Sequence, residues 1–457
     1  MTLKPSEVDL LSNLHRQLSD GYRDDELMLR YYEGRHRFAH IGLALPPQYR
    51  REYDIVTGGA ETVVDAVVDR QQVKALVLPG EETADARLRA IMDGSNMESQ
   101  MQMFNRDRRL YGRAFMSVAT NERDEERPLI RVESPREMAG FIDQRHEVVT
   151  ASARFYGEDE TTKRSPTFAT LYTPNETVWA GWSHTSRRWL EVDRDAHGMG
   201  EVPIFMHLNR RLSGSWRGRS ALTPNIRSII DGSCRNLTNM QFAIEAHGIK
   251  RIFMIGVAKG DFVDKDGKPI PLWEAYYNAI HTLTNPDAKI GQLEASDLKN
   301  FETAQATYVR EMVQATGFPA SYFGTTTVNP PAEGSIVGEE KRLVRRVESE
   351  NVEVGVTLGW AAAMAYRFAT GNSVPGNQVR VEWHNPSTPT VAQRMDAIVK
   401  AKQAGILSRE GAWDELGWSP ARKDKERAYF AAELNDPTVQ LARDLMGGAT
   451  DAAAGNV

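Results

Sequence analysis

The segment after the double proline at 330–331 constrains the fold most, because it predicts one unusually long helix. A helix over 332–369 spans roughly 57 Å if it is unbroken. Gly338, Gly355 and Gly359 lie inside this segment, and each costs about 1 kcal/mol relative to alanine in a helix interior. We therefore expect a kink near one of them. The chain has 457 residues, too many for one ordinary core, so two to four sub-domains are expected.

Two more helices are expected shortly before this segment. Thr223 and Pro224 are a typical N-cap and first-turn pair, and they begin a helix of roughly 36 Å. A second helix begins near Ser296 and ends at Gly317. The two helices flank a small insert at 249–295, which predicts a hairpin-like stalk.

The chain before the stalk mixes helix and strand patterns. Apolar residues at helical spacing predict helices over about 6–34 and 97–111. Short alternating segments separated by turn residues predict several strands between about 112 and 210. The aromatic residues Tyr31, Tyr32 and Phe38 are expected in the core.

Charge and cysteine content limit the possible functions. The net charge is −6 and the isoelectric point is about 6.0, whereas a protein that grips DNA along a groove is basic. Tight groove binding is therefore not expected. Cys234 is the single cysteine, so no intramolecular disulfide is possible, which fits a reducing compartment. We also expect no secretion signal and no membrane span.

No motif in the sequence indicates catalysis, a cofactor or a metal. The phosphate-binding pattern GxxxxGK[ST] and the nucleophile pattern GxSxG are absent. "DKDG" at 264–267 begins like a calcium loop, but its glycine comes too early, so it is expected to be a turn. We therefore expect no catalytic residues, no cofactor and no metal ion.

Several motifs, in this order, resemble the portal proteins of tailed double-stranded DNA bacteriophages. They are "LMLRYYEGRHRF", "LYGRAFMSV", "HGMGEVPIFMHLNRR" before "GRSAL", "TGFPASYFG", and "NPPAEGS" followed by a charged helix. The resemblance covers roughly residues 20–420 and implies an α+β, mainly helical portal fold in a non-enzymatic ring of twelve copies. It divides the chain into wing (1–221), stem helix 1 (222–248), clip (249–295), stem helix 2 (296–318), tunnel loop (319–331), long kinked helix with a returning wing strand (332–390), crown (391–440) and disordered tail (441–457).

The resemblance also implies a function and partners. The ring would form the channel at one capsid vertex through which double-stranded DNA is packaged and ejected, without reading its sequence. It would dock the terminase motor and the head–tail adaptor, and contact the major capsid and scaffolding proteins. The protein is expected in the virion, in the host cytoplasm during assembly, and not in a membrane.

Three groups of residues are expected at functional sites. The tunnel loop would touch DNA, although it carries no Lys or Arg, so contact must be steric or through hydroxyl and amide groups. A charged run on the long helix would lie between subunits or in the tunnel, and Glu348 and Glu350 could join it. The groups are Thr325, Thr326, Thr327, Val328 and Asn329 in the loop; Glu339, Glu340, Lys341, Arg342, Arg345 and Arg346 in the run; and Asp264, Lys265, Asp266, Trp273, Tyr276 and Tyr277 as clip contacts.

Other interpretations remain open at this point. The charged run is a solvated helix face in the plainest interpretation, and "RDRR" at 106–109 is expected to be a surface patch. The alternatives to a portal ring are a nuclease or hydrolase of β-rich fold, a nucleic-acid-binding protein that is not a ring, and an adaptor or minor head protein.

Overall fold

The structure is a computed structural model of the whole chain. It describes residues 2–39, 54–124, 126–158, 166–247, 252–255, 289–292, 298–324, 333–387 and 391–434. The chain divides into two compact units, Met1–Pro386 and Ser387–Val457.

The first unit begins with four helices and one short strand. Helix α1 (Pro5–Tyr32) and helix α4 (Met97–Tyr111) lie close to where the sequence predicts them. Helix α2 (Gly59–Val68), strand β1 (Val73–Val77) and helix α3 (Ala86–Gly94) were not predicted.

Two antiparallel sheets follow, as the alternating segments indicate. In the first sheet, β2 is central between β3 and β9. The second sheet is a five-stranded meander, β4 to β8, and α1 packs on one face of it through Leu11 and Leu14. The strands are β2 (Arg113–Ala119), β3 (Leu129–Glu133), β4 (Met138–Asp143), β5 (Val148–Glu158), β6 (Pro166–Tyr172), β7 (Thr177–Ser183), β8 (Arg188–Asp195) and β9 (Ile204–Leu208).

The predicted stalk helices are present. Helix α5 covers Pro224–His247 and helix α6 covers Lys299–Thr316. Between them, strands β10 (Ile252–Ile255) and β11 (Lys289–Gln292) pair antiparallel. The apolar sides of both helices, together with the end of α1 and with α2, enclose a core of Met28, Val64, Leu222, Ile230 and Met312.

Helix α7 (Glu333–Thr370) is the long helix, with 38 residues. Its second half is the centre of the largest core, where Leu358, Ala361 and Ala362 are fully buried. Two of its glycines have close neighbours: a Cβ on Gly359 would lie 2.7 Å from the carbonyl oxygen of residue 376, and a Cβ on Gly355 would face Val381 and Trp383. Small residues therefore let the rest of the unit approach this helix closely.

Strand β12 (Arg380–Trp383) returns the chain to its beginning. It pairs antiparallel with β1, and Leu76 lies opposite Val381. Two distant segments of the first unit thus share one sheet, and Leu76 and Val379 join the core around α7.

Over residues 391–434 the second unit forms three helices, α8 (Val391–Gln403), α9 (Arg409–Glu415) and α10 (Pro420–Leu434). The first two were predicted, joined at Gly405, and the third was not. The ring of Trp413 stacks on those of Trp418 and Phe430. Within the described part of the chain, no helix combines the length and apolarity needed to cross a membrane.

Candidate functional site at the turn between α6 and α7

The expected functional residues fall partly on described segments. The loop residues 325–329 and the clip residues 264–277 lie outside the described part of the chain. The two flanks of the loop are described, however, and so is the charged run on α7 from residue 338 onward.

The chain leaves α6 through a sharp turn at Gly317. Its φ angle of 74° suits glycine, and Arg342 Nε lies 3.0 Å from where a Cβ would stand. The Thr316 hydroxyl accepts a hydrogen bond from the Phe318 amide at 3.2 Å and donates to the Met312 carbonyl at 2.7 Å. Phe318 is buried against Leu343 of α7. The chain segment that leads into the loop, Gly317 and Phe318, is therefore packed against α7.

Arg70, just after α2, joins both flanks of the loop. Its guanidinium donates to the Tyr322 hydroxyl at 2.8 Å on the entry side. On the exit side it donates to both carboxylate oxygens of Glu340, at 2.7 and 3.3 Å. It also donates to the Pro386 carbonyl oxygen at 3.2 Å. The sequence analysis missed Arg70, because its partners lie more than 250 residues away.

The residues of the charged run on α7 differ in their exposure and in their partners. Glu339, Lys341, Arg342 and Arg345 are exposed, whereas Glu340 is bound within the chain by Arg70. A role for these residues between subunits stays a prediction, and the in-chain pairing of Glu340 disfavours it for that residue.

Arg346 differs from its neighbours because it lies partly buried. Its guanidinium carbon is 5.6 Å from the centre of the Phe318 ring. Burial, together with the positive charges of Arg210 and Arg109, lowers the pKa of Arg346. Arg346 thus packs on the turn that leads into the loop.

A buried ionic cluster lies one turn further along α7. Glu350 accepts from Arg109 at 2.6 and 2.8 Å and pairs with Arg108 at 2.9 Å. Arg109 also donates to the carbonyl oxygens of Val63 and Val64. Glu350 is therefore not a surface charge for subunit contacts, and the expectation that it serves there is wrong.

Arg108 and Arg109 also correct the expectation that "RDRR" is a surface patch. Both side chains are fully buried. Arg108 donates to Gln71 Oε1 at 2.6 Å and to Asn209 Oδ1 at 2.8 Å, so one guanidinium connects α4 to the segments after α2 and β9. The sequence gives no local signal for this, since the partner carboxylate is 241 residues away.

The cluster changes the protonation of two groups. Burial alone raises the pKa of Glu350, but the charges of Arg109 and Arg108 outweigh it and lower the pKa to about 2. Burial, with the Arg108 charge as a second cause, lowers the pKa of His207 to about 3. His207 Nδ1 lies 3.0 Å from the Thr357 hydroxyl on α7. At neutral pH the carboxylate is charged and the imidazole is neutral.

Helices α5 and α6 contact each other through small and polar residues. Asn236 donates to the Phe301 carbonyl at 2.9 Å, and Gln305 donates to the Ser233 hydroxyl at 2.7 Å. A Cβ on Gly232 would lie 2.5 Å from the Tyr308 ring. At the two ends of α6, Leu298 is exposed and Met312 is buried. The two helices therefore cross closely at Gly232.

The described part of the junction consists of packing contacts and ion pairs. In the described residues, no three or more His, Cys, Asp or Glu side chains are grouped to hold a metal ion. What the junction offers is a loop base held by a buried phenylalanine and a bidentate arginine, beside a long helix anchored by a buried ion cluster. Fold and junction together define a protein of mixed α and β architecture in which the base of a loop is fixed on a long helix.

A family model described as phage portal protein, SPP1 Gp6-like, matches residues 20–436. The chain belongs to this family of phage portal proteins, as the motifs in the sequence indicated. The match extends over both units and includes the turn between α6 and α7.

Two curated relatives agree with this assignment. The portal protein of Mycobacterium phage D29 is 30% identical over 431 residues, covering 91% of this chain and 88% of the relative. The portal protein of Mycobacterium phage L5 is 30% identical over 424 residues, covering 91% and 86%. The portal function expected from the sequence and the mixed α and β portal fold are thereby confirmed.

Solved structures also share similarity with the chain. A chain of the virion of a native gene transfer agent particle has a TM-score of 0.44 at 14% identity, covering 87% of this chain and 94% of that chain. A chain from the neck of the native particle, computed with C12 symmetry, has a TM-score of 0.42 at 13% identity, covering 82% and 93%.

Proposed function

We propose that this portal protein assembles into a closed ring at one vertex of a phage capsid and that double-stranded DNA passes through its centre. The observation that carries the proposal is the continuous order of α5, the β10–β11 pair, α6, the fixed turn and α7 in a chain of the portal family. Twelve copies is the number that the family resemblance implies. The ring is a virion component without enzymatic activity.

The loop at 325–329 is proposed to contact DNA in the channel. Both flanks of the loop are held by Arg70, so contact forces on the loop pass into α2 and α7. Three threonines and one asparagine offer hydroxyl and amide groups, which contact phosphates without strong charge attraction. Such contacts position DNA and carry little sequence information, as a channel for moving DNA requires.

The proposal extends to partners. The insert between α5 and α6, with Asp264, Trp273 and Tyr276 among its side chains, would face the packaging motor and later the head–tail adaptor. The first unit would contact the major capsid and scaffolding proteins. Assembly would take place in the host cytoplasm before the virion is complete.

The ring itself is tested by mass and shape. A single copy has a mass of 51.2 kDa, and light scattering after size exclusion should give many times that value, either directly or on concentration. Negative-stain images should show particles with a central hole. A chain that stays monomeric at all concentrations would contradict the proposal.

The loop is tested separately in particles complemented with variants. Deleting residues 325–328 should leave ring mass unchanged and reduce the DNA content of particles, because only the channel contact is lost. Exchanging the three threonines for serine keeps every hydroxyl and is the matched control, whereas exchanging them for valine keeps the shape and removes the hydroxyls. Loss of rings in the deletion would show that the loop is an interface element instead.

A further inference from the structure

Helix α7 shows an exposed apolar stripe beside its buried core side. Val352 is 71% exposed, Val356 54% and Trp360 38%. These residues are spaced by four, so they lie on successive turns of nearly one face. On the opposite side Val354 and Leu358 are fully buried, so the helix is fixed and the stripe faces outward. Single exposed apolar residues are ordinary, but a contiguous stripe marks a contact surface.

Toward the start of the helix the same face carries two basic residues and one acidic residue, Glu348, which is exposed one turn before Val352. Lys341 and Arg345 are exposed on the turns before Val352. No acidic side chain of the described residues pairs with either. An apolar centre with a charged edge is the usual composition of a protein interface. A phosphate backbone could pair with the basic edge but offers nothing to the valines, so the surface fits a protein and not DNA.

The chain itself carries a second exposed surface of similar composition, with apolar residues beside acidic ones. On the face of the five-stranded sheet away from α1, Phe168 is 48% exposed and Val192 68%. Val192 reaches over Gly181, 3.4 Å from where its Cβ would stand, and Phe168 is opposite Gly181 in the register. The apolar groups of β6 and β8 therefore adjoin across β7.

Two acidic residues share that sheet face. Asp193 is opposite Trp179, and Asp195 is opposite Thr177. Trp179 is in turn opposite Thr170, two residues along β6 from Phe168, so all these side chains point to one side. Both aspartates are exposed. Exposed Arg188, opposite Ser183, lies on the same face beyond Gly181, so the negative charge is confined to the Asp193 end of β8, as the basic residues of the α7 stripe are confined to its Lys341 end.

We propose that the α7 stripe of one copy packs on this outer sheet face of a second copy. The two surfaces differ, so the contact is head-to-tail, which is the kind that closes into a ring. The inference rests on the proposed function, since it supplies the contact by which that ring forms. It assigns Val352 and Val356 as apolar anchors and Lys341 and Arg345 as charged partners of Asp193 and Asp195.

The anchors are tested with a double variant, Val352→Asp and Val356→Asp. Valine and aspartate have similar helix propensity, so α7 should still fold, which circular dichroism and an unchanged unfolding midpoint would show. Light scattering should then give a monomer where the wild type gives rings. Leu212→Asp, at another exposed apolar position, is the control and should keep rings. Rings formed by the wild type and equally by the double variant would overturn this inference and leave the proposed function intact. A wild type without rings would overturn both.

The pairing of the two faces is tested by exchanging their charges. Lys341→Glu with Arg345→Glu should raise the protein concentration needed for ring assembly by about tenfold or more. Asp193→Lys with Asp195→Lys should have the same effect. All four changes in one chain restore opposite charges and should restore rings at low salt. If the four-fold variant assembles no better than either double variant, the sheet face is not the partner of α7.

Discussion

Glu350 holds two guanidinium groups at a place that water does not reach. Three side chains from two distant segments neutralise one another only in part, because Arg108 and Arg109 bring two positive charges to one carboxylate. The remaining hydrogen-bond donors are taken up by Gln71, Asn209 and backbone carbonyls. The cluster thereby ties α4 to α7 through buried ion pairs and hydrogen bonds.

Removing the carboxylate charge should therefore be costly. Glu350→Gln leaves two buried guanidinium groups without an anion, and breaking a buried pair in this way costs about 3–5 kcal/mol. We expect the midpoint of guanidinium chloride unfolding to fall accordingly. Glu348→Gln, at an exposed position two residues earlier, is the control and should change stability by no more than about 0.5 kcal/mol. Equal midpoints for the two variants would contradict the structure of this cluster.

The same region should make stability sensitive to mild acid. His207 has a pKa of about 3 in the folded chain, against 6.5 for an unperturbed histidine, so the unfolded chain takes up the proton first. Its contribution to stability is unaffected above pH 6.5 and falls by about 1.4 kcal/mol per pH unit below it. Between pH 6.5 and 5 the loss is about 2 kcal/mol.

His207→Phe tests this expectation by removing the titrating group. The variant should lose about 2 kcal/mol less than the wild type between pH 6.5 and 5, whatever its stability at pH 7. Glu350 does not interfere between pH 6.5 and 5. Its pKa is lowered from 4.5 to about 2 in the folded chain, so its contribution to stability is lost only as the pH falls from about 4.5 to about 2. Identical acid sensitivity in both chains would show that His207 titrates normally.

None of these residue contacts could be predicted from the sequence. "RDRR" has the composition of a solvated helix face, and the partner of Arg109 lies 241 residues away. Arg70 follows a short helix that carries no strong start or stop signal, yet it joins both flanks of the loop. Long-range ion pairs leave no periodic trace, so local patterns give no sign of them.

At the scale of elements, prediction succeeded where signals are local. Thr223 and Pro224 mark the start of α5, and Gly317 marks the end of α6. The double proline precedes α7 as expected. Helix α2, with 10 residues, and the short strand β1 were missed because neither is long enough to establish a period. The kink expected at the glycines of α7 stays a prediction, whereas the close packing at Gly355 and Gly359 is a feature that only tertiary structure shows.

The contact between α5 and α6 depends on one glycine. A methyl group at position 232 would lie 2.5 Å from the Tyr308 ring, so Gly232→Ala must push the helices apart or force the ring out of place. We expect a loss of about 1–3 kcal/mol, as for other overpacked contacts, measured by chemical unfolding.

Gly338→Ala in α7 is the matched control, because nothing lies within 4 Å of its added methyl group. There the gain in helix propensity should stabilise the chain by about 0.5–1 kcal/mol. Opposite signs for the two glycines are the expected result. A stabilising Gly232→Ala would mean that α5 and α6 do not cross as closely as described.

At the scale of the whole molecule, charge and architecture agree with a channel for moving DNA. Each copy carries a net charge of −6, and a closed assembly multiplies that value. Its rigid parts are the α7 core and the fixed loop base, while the proposed DNA contact carries hydroxyl groups and no cationic side chain. Weak attraction suits a channel, because a basic lining would release many counterions and hold the DNA in place.

Weak binding with a small salt dependence is therefore expected for assembled rings and a short DNA duplex. Anisotropy titrations at 150 mM salt should give a dissociation constant above about 10 µM, because few phosphates are neutralised. Thr326→Lys adds one cation per copy at the proposed contact and should tighten binding and steepen the dependence of affinity on salt. Thr326→Ser is the neutral control and should behave as the wild type. Sub-micromolar binding by the wild type, or no effect of the lysine, would contradict a hydroxyl-lined contact in the path of the DNA.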